Sequence, residues 1–222
     1  NYSSQFSDNI PYPVDVVTDS SNNVYILNNA ARVVKLDSSG NFLSEFSFPQ
    51  GTNAGEIEVS SAIALDPTNG AMYIVDGWNN PRVLKFNSNG TYLSEFGDSN
   101  QLRQSSGVAL DDTGSIYVTS EYWDRGLQKF SSNGSFIANL QYEISPAVPP
   151  TPPSDPDPNS LCAPWNISRD PAGNVYVVNM ERSRVDKYSP SGILLTTVGT
   201  PYTAGTDPNT NGVTVSPRGI AV

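Results

Sequence analysis

The sequence predicts an all-β chain, a β-propeller of four-stranded antiparallel blades, with four complete blades and a partial blade at each end. Three observations predict it. A unit of roughly 45 residues, the period of four-stranded propeller blades, recurs four times in register. Each unit holds four short runs rich in β-branched and aromatic residues, the composition of strands. Between the runs stand Gly, Asn, Asp or Pro, the residues of turns.

The first run, strand a, ends on Asp19, Asp66, Asp111 and Asp170, at intervals of 47, 45 and 59 residues. Strand b follows: Asn23–Asn28, Ala71–Asp76, Ser115–Thr119 and Asn174–Asn179. Strand c reads Arg32–Leu36, Arg82–Phe86, Leu127–Phe130 and Arg184–Tyr188, and a Gly-containing turn then opens strand d. The long third interval holds a proline-rich insert at 145–160. Proline lacks the N–H and fixes φ, so the insert is expected to be an extended loop between blades.

These repeats divide the chain into blades at 11–50, 51–100, 101–144 and 161–200. Residues 1–10 match the last strand of a unit, Asn41–Ser47, and residues 201–222 end on Val215–Val222, which matches a first strand. Both ends are therefore expected to belong to further blades, and unpaired edges would invite self-association.

The run Met72-Tyr73-Ile74-Val75-Asp76-Gly77-Trp78-Asn79-Asn80-Pro81-Arg82-Val83-Leu84-Lys85-Phe86 resembles the NHL repeat, and the other copies depart from it at Asn28, Ser120 and Asn179. The resemblance implies a propeller of six or a related number of blades. Enzymes similar to this family include amidating lyases and streptogramin-type lyases, which rely on histidine. The chain has none, which also removes Ser-His-Asp and Cys-His arrangements. No catalytic residue, metal site or cofactor is expected. The enzyme alternative is a lactonase-like metal-dependent propeller, which would use carboxylates and amides at the central channel. The inner starts of strand a are Asp15, Ala62, Gly107, Asn166 and Gly219, one carboxylate among five, and small residues there suit crowded strands better than a hard cation. The opening Asp155-Pro156-Asp157-Pro158-Asn159 looks like a calcium loop but has Ser160 where glycine is needed and Asn166 where glutamate is needed, so it reads as a solvated acidic loop.

With 12 basic and 22 acidic residues the net charge is −10, which argues against nucleic acid and anionic membrane surfaces as partners. No run is long and apolar enough to insert in a bilayer. The single Cys162 cannot form an internal disulfide and reads as a small buried hydrophobe.

In a four-stranded meander the b–c and d–a connections share one face, and the a–b and c–d connections share the other. Trp78 with Arg82, and Tyr122 and Trp123 with Arg125, fall on b–c connections and are the candidates for binding protein or glycan. Asn89 and Asn133 are glycosylation sequons at equivalent c–d hairpins of the opposite face, where Asn-Gly also suits a type I′ turn; Asn1 is a third sequon. The reading is an extracellular or cell-surface glycoprotein scaffold, a candidate structural unit of a surface assembly or filament. The sensor domain of a membrane receptor is a further alternative.

Overall fold

The computed structural model describes residues 10–121, 126–140, 161, 163–180, 182–199 and 219–222. Within them sixteen strands form four separate sheets, each a four-stranded antiparallel meander, and there is no helix. Blade one holds β1 (Pro13–Thr18), β2 (Val24–Asn28), β3 (Arg32–Leu36) and β4 (Phe42–Ser47). Blade two holds β5 (Ser60–Leu65), β6 (Met72–Asp76), β7 (Arg82–Phe86) and β8 (Tyr92–Phe96). Blade three holds β9 (Ser105–Leu110), β10 (Ile116–Ser120), β11 (Gly126–Phe130) and β12 (Phe136–Asn139). Blade four holds β13 (Pro164–Arg169), β14 (Val175–Asn179), β15 (Arg184–Tyr188) and β16 (Leu194–Val198). The first strands pack in the order β1, β5, β9, β13, so the sheets follow one another as a β-propeller with strand a innermost. Gly219–Val222 carry no strand, whereas the sequence places the end of a first strand there. The expected strand at the N-terminus, the proline-rich insert, the acidic Asp155–Ser160 loop and Cys162 lie outside the described residues.

Alternation along each strand sends successive side chains to opposite faces, and in a propeller both faces meet a neighbouring blade. The second strand is therefore mostly apolar up to a polar end, and every residue of β6 and β10 is buried. The outermost strands β4, β8, β12 and β16 face solvent on most of their residues and carry Ser, Thr, Glu and Asn. Three cores fill the spaces between blades. Tyr25, Leu27 and Val33 of blade one meet Ile63, Met72, Ile74, Leu84 and Phe86 of blade two. Tyr73, Val75 and Val83 meet Val108, Ile116, Val118 and Phe130, and Tyr117 and Leu127 meet Ile167, Val175, Val177 and Tyr188. Each fully buried aliphatic or aromatic side chain contributes about 1.5–3 kcal/mol of transfer free energy, so these cores dominate the cohesion of the blades.

The recurring Asp, Tyr and Lys have a common structural cause. Asp19 closes its a–b turn by accepting from the N–H groups of Ser21 and Asn23 and from the Asn23 amide, and the Tyr25 hydroxyl donates to it. Lys35 Nζ then lies 3.5 Å from Asp19 and 4.8 Å from the Tyr25 ring centre. Blade four repeats the set with Asp170, Asn174, Tyr176 and Lys187. Blade three uses Asp111, Ser115 and Tyr117 with Lys129 over the ring, and blade two keeps Lys85 over Tyr73. In the sequence these three types sit on strands a, b and c; in the fold they pin the three strands at one end.

Asp15 is a blade-to-blade contact. Its carboxylate accepts from Ile63 N–H of the next innermost strand at 2.9 Å and from Val16 N–H at 2.9 Å. Burial pushes its pKa from 3.8 up to about 6 against the opposing pull of those two donors. A carboxyl whose folded pKa is raised resists ionising in the folded state, so the protein loses stability as pH rises from the ordinary carboxylate pKa through about 6. Asp15→Asn keeps an acceptor for Ile63 and removes the charge. Urea unfolding is expected to show the variant more stable by about 1–3 kcal/mol at pH 7, the two proteins converging near pH 4. A difference independent of pH would show that Asp15 is not held in this way.

Candidate binding rim

Each innermost strand begins one or two residues before the sequence suggests, because it carries a β-bulge that the repeat pattern does not announce. The extra residue is Val14, Ser61 and Ser106 in the first three blades, and it falls between Pro164 and Ile167 in the fourth. Just before the strand, Tyr12, Gln104 and Ala163 adopt positive φ of 52°, 45° and 47°. Their carbonyls accept from the first N–H of the b–c turn: Asn29 to Tyr12, Glu121 to Gln104 and Met180 to Ala163. In blade two Gly77 donates to Val59 in the same way. Ala31 and Ser183, at the ends of b–c turns, have φ of 57° and 54°. Five of the six non-glycine residues with positive φ thus lie on the rim formed by the b–c and d–a connections, which locates the backbone strain of the described chain there.

The bulge also points hydroxyls across the blade boundaries. Ser61 Oγ donates to the Ser105 carbonyl at 2.8 Å, and Ser106 Oγ to the Pro164 carbonyl at 2.9 Å. Ser60 Oγ donates backwards to the Asn28 carbonyl at 2.6 Å. The inner starts of strand a are accordingly packing positions. Ala62 is buried, Asp15 bonds to Ile63, Gly107 is buried between Thr119 and the Trp165 carbonyl, and Asn166 is half-buried in β13. Gly219 differs: among the described residues no atom lies near the position of a Cβ on it. Among the described residues no group of three or more acidic, cysteine or histidine side chains is placed to hold a metal ion.

Trp78 stands on the b–c turn of blade two, 58 % exposed. The turn beneath it is held from several sides. Gly77 N–H donates to Val59 and its carbonyl accepts from Ser105 N–H of blade three, an approach so close that a Cβ at Gly77 would run into the Ser105 carbonyl. Asn79 Nδ2 donates to Glu58 Oε1 at 2.9 Å, and Asp76 accepts from the N–H groups of Glu58 and Val59. Desolvation pushes the Asp76 carboxyl up, opposed by those two donors and by the Arg82 guanidinium 3.5 Å away.

Arg82 has a different position from the one its sequence neighbourhood suggests. It is the first residue of β7, 5 % exposed, and not a residue of the open loop. Its guanidinium donates to the carbonyls of Thr52, Asn53 and Glu56 and to the Glu95 carboxylate. A planar fork with five donors binds several acceptors at once, so Arg82 organises the d–a loop from within and leaves the rim to Trp78. Tyr12, which no motif of the sequence singles out, is 76 % exposed on the same rim. Its signal was an aromatic at the place where the other units have Val59, Gln104 and Ala163.

Asn89 and Asn133 are exposed at c–d hairpins, on the face opposite Trp78. The hairpins are not type I′. Gly90 N–H donates to the Asn87 carbonyl and Asn87 N–H to the Thr91 carbonyl, while positive φ falls on Gly90 (80°) and not on Asn89. This is a type I turn followed by a left-handed glycine, and Ser131 to Ser135 repeats it with Gly134 at 83°. The reason is spacing: three residues lie between the paired ends, one more than a type I′ loop accommodates. Asn133 Oδ1 accepts from Ser135 N–H at 3.0 Å, whereas the Asn89 side chain is free of hydrogen bonds among the described residues. Asn1, Tyr122, Trp123 and Arg125 lie outside the described residues.

No family model and no curated protein matches the chain. Solved structures do. Virginiamycin B lyase from Staphylococcus aureus matches with a TM-score of 0.62 and 14 % identity over 90 % of this chain and 59 % of that one. The WD40 repeats of RRP9 match at 0.58 and 14 %, over 88 % and 53 %. A gluconolactonase from Xanthomonas campestris matches at 0.58 and 14 %, over 85 % and 62 %. A histidine-to-alanine variant of the lyase, solved with quinupristin, is described as catalytically inactive. The chain spans 53 to 62 % of the length of the lyase, RRP9 and lactonase chains. These likenesses show the propeller fold, on which both enzymes and binding scaffolds occur.

Arg82→Ala is expected to destabilise the protein by about 2–4 kcal/mol, because it leaves three carbonyls and a carboxylate without their donor. Arg82→Lys should recover little of this, since one ammonium cannot span the same acceptors. Trp78→Ala should leave stability within about 0.5 kcal/mol of the parent, as surface substitutions do. Denaturant midpoints of the three variants check the set; a tolerated Arg82→Ala would show that the loop is held by something else.

Proposed function

We propose that this chain is part of an NHL-type β-propeller that works outside the cell as a protein- or glycan-binding scaffold and engages its partner through the rim bearing Trp78. The observation that carries the reading is an exposed indole on a turn that is otherwise fully braced. A rigid aromatic platform loses little entropy on binding, which is the property of hot-spot residues. Tyr12 on the same rim adds a second exposed aromatic, and Tyr122, Trp123 and Arg125 of the neighbouring b–c connection are assigned to the same surface from the sequence. The sequons at Asn89 and Asn133 on the opposite face fit a secreted protein whose glycans leave the aromatic rim clear.

Catalysis is the less supported reading. The lyase whose histidine variant is inactive depends on a residue type that this chain lacks altogether. A lactonase-like metal enzyme would draw on carboxylates at the inner starts of strand a, and the one there, Asp15, is committed to two backbone N–H groups.

Two measurements test the proposal. Native material should lose mass on deglycosylation, with the sugar at Asn89 or Asn133; native protein unmodified at both would overturn the extracellular glycoprotein reading. Trp78→Ala should weaken partner binding by about tenfold or more while folding is unchanged. Undiminished binding by a folded Trp78→Ala protein would remove the rim as the binding surface.

A further inference from the structure

We infer that the ground around Trp78 is a subsite for a neutral glycan chain, in which a sugar ring stacks on the indole and its hydroxyls bond to the polar groups beside it. The inference rests on the binding reading above and commits it to one class of partner.

The surroundings of Trp78 separate the two classes. A protein hot spot lies at the centre of an apolar patch from which its neighbours exclude water. No exposed large apolar side chain other than Trp78 itself lies on its turn or on the described d–a loop bonded to that turn. Besides Trp78, the exposed residues of the turn and of the loop beneath it are Asn79, Pro49, Gln50, Thr52, Asn53 and Ala54, and the large apolar residues of that loop, Phe48 and Ile57, are buried in the core. A flat aromatic flanked by amides and hydroxyls matches a pyranose ring, which offers one face of C–H groups and a margin of hydroxyls.

The polar groups are also placed with unused capacity. Glu58 Oε1 holds the Asn79 amide nitrogen, which leaves Asn79 Oδ1 as an oriented acceptor. Glu58 Oε2, beneath the same turn, has no donor among the described residues, an arrangement that a hydroxyl arriving through a shift of the exposed Asn79 side chain would relieve. The Trp78 indole N–H makes no hydrogen bond among the described residues and supplies a donor. Charge selects further. The Glu58 carboxylate lies against Asn79, the nearby Arg82 is already bonded to the Glu95 carboxylate and the Glu56 carbonyl, and the whole chain carries −10, so sulfated or uronic chains are repelled and uncharged ones are not.

The test is titration of the whole chain with cellohexaose, chitohexaose and a heparin-derived hexasaccharide, followed by calorimetry and by tryptophan fluorescence. A neutral oligosaccharide should bind with little dependence on salt. Trp78→Ala should abolish the binding, Trp78→Phe should retain much of it because a stacking face remains, and Asn79→Ala should weaken it several-fold. Equal thermal midpoints for the parent and all three variants establish that folding is not the cause. Absence of binding to either neutral chain, binding that survives Trp78→Ala, or binding to the heparin fragment alone would overturn the inference. If the neutral chains fail while a purified protein partner still binds in a Trp78-dependent way, the glycan assignment falls and the scaffold reading stands.

Discussion

The seam between consecutive innermost strands is the contact on which the rest of the molecule depends. A four-stranded sheet of this length has two apolar faces and cannot bury either alone; it becomes stable only against another blade. The apolar cores between blades supply the bulk of that attraction, but hydrophobic contact is non-directional and would tolerate sliding. Direction comes from the seam. The Ser61, Ser106 and Ser60 hydroxyls and the Asp15 carboxylate each reach one defined backbone group of the adjoining blade, and so set the height of one sheet against the next.

That constraint explains why the strain of the chain gathers on one rim. In blades two and three the extra residue of the innermost strand is a serine that swings its hydroxyl across the boundary, and in blades one, three and four the residue before the strand turns left-handed. A non-glycine residue in this region is disfavoured by roughly 1 kcal/mol or more. The hydrogen bond from the b–c turn to its carbonyl recurs in all four blades, and it ties the d–a loop to the turn beside it. The rim is thereby stiffened as a consequence of how blades are joined. Trp78 inherits that stiffness: its turn is held by Val59, Ser105 and Glu58, and the loop below by Arg82, so the indole is presented on a surface that needs no ordering when a partner arrives.

The two faces differ for a related reason. The a–b and c–d connections are tight turns closed by Asp19, Asp170, Asn87 and Ser131 with their own local hydrogen bonds, so their geometry is nearly the same from blade to blade. The b–c and d–a connections are bound to one another across strands and vary in length. Conserved geometry on one side and variable loops on the other is how a repeated unit carries a specific surface on a common frame.

The sequence by itself determined the number of described blades, the order of their strands and the face on which each connection falls. It could do so because these follow from local period and turn chemistry: alternation, and Gly or Asp at set offsets. It also placed Trp78 on an exposed turn. Tertiary structure alone decided the fate of the residues whose partners are distant in the chain. Arg82 is next to an exposed turn in sequence, yet its partners are carbonyls 26 to 30 residues earlier, and they draw it into the interior. Asp15 reads as a lone channel carboxylate until Ile63, 48 residues on, is brought within 2.9 Å. The bulges and left-handed residues leave no composition signal because Val14, Tyr12 and Gln104 are ordinary residues held in unusual conformations by the blade beside them. Local pattern specifies a strand and its faces; which polar group meets which is settled only when two blades close on each other.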